Sequence, residues 1–215
     1  LSFAKEFILI NSRSFDIIKN NKITVDEKQI VLLDIIYNNP QWTKFRNLLD
    51  EKKITELYYN LNRILRQFSN IYKKKIVVCL HPDDDLELKK KYFSDFEVVK
   101  YQTRENIYKA FMVLFFESTA IIDAIILKKR IIAIMSNTMD ENQIKGASHY
   151  VEALSIEKIN IEDDVIVNAD NKNAFLLKLD KATKNYSNFI NSYIAADGNN
   201  LGYEKIINTL KSRFF

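Results

Sequence analysis

The sequence predicts an α/β fold: a doubly wound, mostly parallel Rossmann-like sheet with helices on both faces and further helices at the C-terminus. Three observations lead there. Apolar residues come in short unbroken runs, as in strands covered on both faces, whereas a strand wet on one side would alternate. Between the runs, apolar residues step by three and four, the spacing of an amphipathic helix. The run Lys75–Leu80 stops at His81-Pro82, because proline has no N–H for a ladder and holds its predecessor extended.

Leu1–Asn21 has no clear period, since its apolar residues are broken by the polar stretch Asn11–Ser14; residues 1–27 are expected to be an N-terminal segment or the remnant of a preceding domain. Gln29–Ile36, QIVLLDII, is the first predicted strand, with one acid at Asp34 and a turn at Tyr37-Asn38-Asn39-Pro40. Ile54, Leu57, Tyr58, Leu61, Ile64, Leu65, Phe68 and Ile71 mark a long helix, which returns to the strand Ile76–Leu80 by a right-handed crossover. Asp83, Asp84 and Asp85 suit the start of a short helix reaching about Tyr92; a metal site is the competing reading, disfavoured because adjacent side chains point apart. Phe96–Val99 and Phe111–Phe116 follow as strands with a helix at Glu105–Ala110 between them. Glu117-Ser118-Thr119-Ala120 opens the apolar helix of Ile121–Ile126, and Arg130–Met135 is the fifth strand. Ser136–Lys145 reads as a polar loop, Ala147–Leu154 as a helix, Asp164–Val167 as a last strand, and Phe175–Tyr193 and Tyr203–Phe214 as helices. The expected organisation is a Rossmann-like domain over 28–170 with 171–215 packed on it.

At 215 residues the chain can bury a real core, and no stretch approaches the roughly 18 to 20 apolar residues of a membrane span. Cys79, the single cysteine, lies inside a predicted buried strand, which rules out disulfides and cysteine-based metal sites and fits a reducing cytoplasm. The three glycines, Gly146, Gly198 and Gly202, all come late, so no phosphate-cradling Gly-rich loop follows an early strand. A net charge of +4 arises from 32 basic and 28 acidic residues mixed throughout. The clusters Lys73–Lys75, Lys89–Lys91 and Lys128–Arg130 therefore read as solvated helix ends, and without interleaved aromatics they argue against nucleic acid as a partner. Beginning at Leu1 with no signal-peptide pattern, the chain is expected to be a piece of a longer protein or a trimmed chain.

Ligands of open α/β sheets bind outside the carboxyl ends of the strands, which singles out His81 and Ser118-Thr119. His81 is either a donor to a ligand or a structural strand-end histidine. Ser118 and Thr119 are either phosphate donors at a helix start or ordinary N-caps. Taken together they suit a nucleotide mono- or diphosphate, with Glu117 accepting from ribose or base. Asp123 is expected to contact backbone or a basic neighbour, His149 to be half-exposed and structural, and Trp42 to be a packing anchor or the lining of a sugar subsite.

The strand ending in His81-Pro82, the apolar strand before Ser118-Thr119, the buried helix and the KKRIIAI strand at Lys128–Ile134 resemble the donor-binding domain of bacterial HP-motif GT-B glycosyltransferases. That family includes sialyltransferases, Kdo transferases and capsule enzymes using CMP-activated sugars, with related polymerases of teichoic type. The resemblance covers roughly Gln29 to Met135, about half of the chain. It implies that His81, Ser118 and Thr119 bind the donor phosphate and that no metal is essential; His81 is the expected catalytic residue, Pro82, Glu117 and Ala120 are expected to bind substrate beside it, and no cofactor is expected. It also implies an acid/base residue in an N-terminal domain that 215 residues cannot hold in full. The expected function is transfer of a sugar from a nucleotide donor, CMP-linked by preference, in surface-polysaccharide or glycolipid synthesis. The alternatives are a sugar-nucleotide epimerase or hydrolase on the same sheet, and a non-catalytic nucleotide-binding or assembly module. The expected partners are a nucleotide sugar and a glycan or glycolipid acceptor; peripheral membrane association and a homodimer are left open, and the expected location is the cytoplasm or the inner face of the membrane.

Overall fold

The structure, a computed structural model, describes residues 11–21, 26–36, 49–163 and 167–195, together with 204, 206–208 and 211. Trp42, the turn at 37–40 and most of the strand expected at Asp164–Val167 lie outside the described residues.

Six strands form one parallel sheet in the order β3-β2-β1-β4-β5-β6. They are β1 Gln29–Leu33, β2 Lys75–Leu80, β3 Glu97–Lys100, β4 Ala110–Phe115, β5 Arg130–Met135 and β6 Glu157–Asn160. The connecting helices are α2 Glu51–Tyr72, α3 Leu86–Tyr92, α4 Thr103–Tyr108, α5 Ile121–Ile126 and α6 Glu141–Leu154; α1 Arg13–Asn20 precedes them, and α7 Lys172–Thr183 and α8 Tyr186–Phe189 follow. The doubly wound α/β fold is therefore present, and its winding reverses between β1 and β4.

The unbroken apolar runs are explained by burial on both sides. Ile30, Leu32, Ile76, Val78, Met112, Leu114, Ile132 and Ile134 face the layer holding Leu57, Leu61, Ile64, Leu65 and Phe68 of α2. Their neighbours Val31, Leu33, Val77, Cys79, Val113, Phe115, Ile131 and Ala133 face the layer built on Ile107, α5, Tyr186 and Phe189. A strand's side chains alternate between faces, so a sheet covered twice requires apolar residues at every position. Each fully buried Ile, Leu or Phe contributes on the order of 1.5–3 kcal/mol.

Four expectations need correction. The sixth strand is Glu157–Asn160, a stretch the sequence does not mark as a strand; it is an edge strand in which Ile159 alone is buried, so its sequence reads as polar. The polar loop expected at Ser136–Lys145 is a loop only as far as Asp140; Glu141–Lys145 already belong to α6, which starts with a capping box between Asp140 and Gln143. The polar break at Asn11–Ser14 is an N-cap, Ser12 accepting from Phe15 N–H at 3.2 Å at the start of α1. The helix expected over Phe175–Tyr193 divides into α7, α8 and a π-helical turn, Ile190–Ile194, which closes with Ala195 N–H donating to Ile190 O at 2.8 Å. The described residues of the expected terminal helix, 204, 206–208 and 211, are helical.

The lysine clusters also differ from the solvated reading. Lys89 and Lys129 are buried, and Lys129 Nζ donates to Tyr108 O at 3.0 Å and Ala110 O at 2.7 Å. Among the described residues, no helix is long and apolar enough to cross a membrane.

Candidate functional site

A cleft of about 820 Å³ opens at the carboxyl ends of the strands, over the point where the winding reverses. Leu33–Ile36 line it from the end of β1, Cys79–Pro82 from β2, Thr103 from α4, Glu117–Ala120 from the β4–α5 connection, and Gly146, His149 and Tyr150 from α6. All six residues singled out in sequence, His81, Pro82, Glu117, Ser118, Thr119 and Ala120, line this one cavity. Their strands are not neighbours: β1 runs between β2 and β4, so the end of β1 lies between the two motifs.

His81 and Pro82 are exposed at the mouth of a braced turn. Asp83 N–H donates to His81 Nδ1 at 3.1 Å, and Asp84 N–H donates to His81 O at 3.0 Å. In the first bond Nδ1 accepts, which leaves Nε2 as the ring nitrogen to donate, and the Asp83 carboxylate lies 3.7 Å from the same Nδ1. Tyr101, whose backbone is in the left-handed region at φ 66°, donates its hydroxyl to Pro82 O at 3.3 Å. Lys100 Nζ donates to Asp84 O at 2.8 Å, and Asp85 caps α3 by accepting from Leu88 N–H at 3.0 Å. The capping role read from the triple Asp thus belongs to Asp85.

Asp84 does something else. With Asp34 and Tyr58 it surrounds the ammonium of Lys89, which is 3.2 Å from Asp84 Oδ2, donates to Ile35 O at 2.9 Å, and bonds Asp34 Oδ2 and the Tyr58 hydroxyl. Burial works against the charged amine, but the charge of Asp34, joined by Tyr58 and Asp84, outweighs it and holds Lys89 above its ordinary pKa. This network ties α3 and the His81 turn to the end of β1, fixing two walls of the cleft.

On the opposite wall, Ser118 is not the helix cap that its type suggests. The N-cap of α5 is Ala120, with no side-chain cap bond, while Ser118 Oγ accepts from Ala120 N–H at 3.3 Å. The N–H groups of Ile121, Ile122 and Asp123 turn back to the carbonyls of Ser118, Thr119 and Ala120 at 3.2 Å. The free helix-start N–H groups expected here are therefore largely used within the turn, and the donors this segment offers the cleft are its hydroxyls. Thr119 is exposed; Ser118 and Glu117 are half-buried. Asp123 meets the basic neighbour expected of it, accepting from Arg104 Nε at 2.8 Å.

Glu117 lies against α6, where a Cβ on Gly146 would come within 3.2 Å of its Cγ and Oε1. Burial raises the Tyr150 hydroxyl above its ordinary pKa, and the Glu117 charge adds to the effect. Cys79 lines the cleft too, but burial pushes its thiol up to about 12, which leaves it protonated and a poor nucleophile at neutral pH. Among the described residues, no group of three or more His, Cys, Asp or Glu is placed to hold a metal ion.

Sequence reading missed the wall of Gly146, His149 and Tyr150. The signal was present in the Asp140-x-x-Gln143 capping pattern, which starts α6 early enough to bring this face to the cleft. Lys89 as the partner of Asp34 had no signal, because 55 positions separate them.

No family model and no curated protein matches the chain. Among solved structures, it is similar to the Methanocaldococcus jannaschii UDP-GlcNAc 2-epimerase in complex with UDP-GlcNAc and UDP, at 16% identity over 95% of this chain and 54% of that one, TM-score 0.43. It is similar to S. aureus MnaA bound to UDP at 16% identity over 98% and 54%, TM-score 0.46. A third similarity is to the Thermosulfurimonas dismutans KpsC, a beta Kdo 2,4 transferase, at 15% identity over 54% and 36%, TM-score 0.32. The chain spans about half the length of the first two and 36% of the third.

Proposed function

We propose that the cleft binds the nucleotide part of a nucleotide sugar, and that this chain is the donor-binding half of a glycosyltransferase of surface-polysaccharide or glycolipid synthesis, with a CMP-linked donor preferred. The observation that carries the reading is the convergence of His81, Pro82, Glu117, Ser118, Thr119 and Ala120 on one cleft at the switch point of a doubly wound sheet. The preference for cytidine rests on the likeness of the His81-Pro82 and Ser118-Thr119 motifs to enzymes that use CMP-activated sugars.

In this reading His81 donates from Nε2 to a phosphate oxygen. Because Asp83 N–H occupies Nδ1, the ring serves as a donor and not as a base. Ser118 Oγ, whose lone pair takes the Ala120 N–H, keeps its own proton to donate to the phosphate, and the exposed Thr119 hydroxyl supplies another. When the bond from the anomeric carbon to the phosphate oxygen breaks, negative charge grows on the phosphate. Donors fixed there gain most as the transition state forms, which is how they accelerate the step. Glu117 accepts from the ribose hydroxyls.

Calorimetric titration of the chain with CMP, CDP and UDP tests the reading. CMP is expected to bind, and His81→Ala to weaken it roughly 10- to 150-fold, the loss of one hydrogen bond to a charged group. No binding by the wild type, or equal binding by His81→Ala, sinks the proposal. Conversion of the nucleotide sugar without any acceptor would assign the site to an epimerase or hydrolase.

A further inference from the structure

Resting on the nucleotide reading of the cleft, we infer that His149 is the wall against which the nucleobase stacks. The chain has two histidines, and both line the same cavity. Gly146, His149 and Tyr150 are three and four residues apart on α6, so they present one face of the helix, and all three line the cleft.

The His149 ring is exposed yet held in an aromatic cluster. Its centroid is 5.7 Å from Tyr150 at 67°, 6.3 Å from Tyr193 at 84° and 6.5 Å from Phe189 at 59°. None of these three rings lies parallel on it. Steep contacts of this kind orient an aromatic ring without covering it by stacking, which suits it to a planar ligand.

The spacing fits a nucleoside. Glu117, assigned to the ribose, rests against Gly146, and His149 comes three residues later, about 4.5 Å along the helix axis. Ser118 and Thr119, assigned to phosphate, adjoin Glu117 in the chain. Phosphate, ribose and base thus meet successive groups across the mouth of the cleft, with His81 on the far wall. Stacking is indifferent to base-edge chemistry, so His149 supplies affinity for the base and leaves the choice among bases to other groups.

The test compares wild type, His149→Ala and His149→Phe in calorimetric titrations with CMP and with ribose 5-phosphate, which has no base. His149→Ala is expected to weaken CMP about 5- to 150-fold and leave ribose 5-phosphate unchanged, while His149→Phe stays near wild type. Unchanged CMP binding in His149→Ala overturns the inference. Equal weakening of both ligands overturns it as well, since His149 would then be contacting phosphate. The Phe variant decides independently of the sugar phosphate: if it is as weak as Ala, a proton or hydrogen bond is at work and stacking is not. If wild type binds neither ligand, the reading of the cleft itself fails, an outcome separate from a wild type that binds CMP and an Ala variant that matches it.

Discussion

Replacing Lys89 by Met probes the element that ties α3 and the His81 turn to the end of β1. In the native protein the side chains of Lys89, Asp34 and Asp84 are 3%, 0% and 6% exposed, so water offers the carboxylates almost no compensation once the ammonium is gone. Removing one member of a buried ion pair costs about 3–5 kcal/mol, and here one cation serves two carboxylates, the Tyr58 hydroxyl and Ile35 O. Against a typical domain stability of about 5–15 kcal/mol the loss is large. Urea unfolding at pH 7 is expected to show it as a lower midpoint with little change in slope. The double variant Lys89→Met/Asp34→Asn should recover part of the loss, because it removes the orphaned charge along with its partner. At pH 5 the penalty of the single variant should shrink, since desolvated carboxylates without a cation take up protons more readily than in wild type. A destabilisation below about 1 kcal/mol at pH 7, or no recovery in the double variant, would refute the claim that Lys89 is the clamp.

Other consequences are more local. Gly146→Ala puts a methyl 3.2 Å from the Glu117 carboxylate, a flexible side chain that can move away. With helix propensity gaining up to about 1 kcal/mol, the variant should melt no lower than wild type and still bind nucleotide more weakly. Equal nucleotide affinity would dissociate Glu117 from the ligand. Asp140→Ala removes the acceptor of the α6 capping box and should cost about 0.5–2 kcal/mol in urea unfolding, with the smallest effect expected if water replaces the carboxylate. Cys79 should resist thiol reagents at pH 8 until urea is added. Its buried thiol, raised to about 12 from an ordinary 9.0, contributes stability that is intact below about pH 9 and lost as pH rises toward 12. Cys79→Ala should flatten that alkaline decline, as a pH series of melts would show.

How far the sequence could be read depended on the range of the signal. The central strands declared themselves because double burial demands apolar residues at every position, and β5 is found at the same bounds, Arg130–Met135, that its composition suggested. The edge strand β6 did not: EKIN has one buried residue, and what makes it a strand is its pairing with Ile132–Met135. His81-Pro82 and Ser118-Thr119 could be found because each ends or follows an apolar strand, a local pattern. Their meeting in one cleft required the strand order, which puts β1 between them and which no local pattern encodes. The same holds for Lys89, whose neighbours Lys90 and Lys91 are exposed and which differs from them only by reaching Asp34 across the sheet end. The helix expected at Ala147–Leu154 held His149 and Tyr150 but not Gly146, so the cleft-lining face of α6 was incomplete in the sequence.

A crystal structure of the chain grown with CMP tests the central claim most directly. The account predicts the phosphate within hydrogen-bond distance of His81 Nε2 and the Ser118 hydroxyl, the ribose beside Glu117 and the base against His149. A nucleotide bound away from the cleft, or in it with the phosphate out of reach of both His81 and Ser118, would contradict the account.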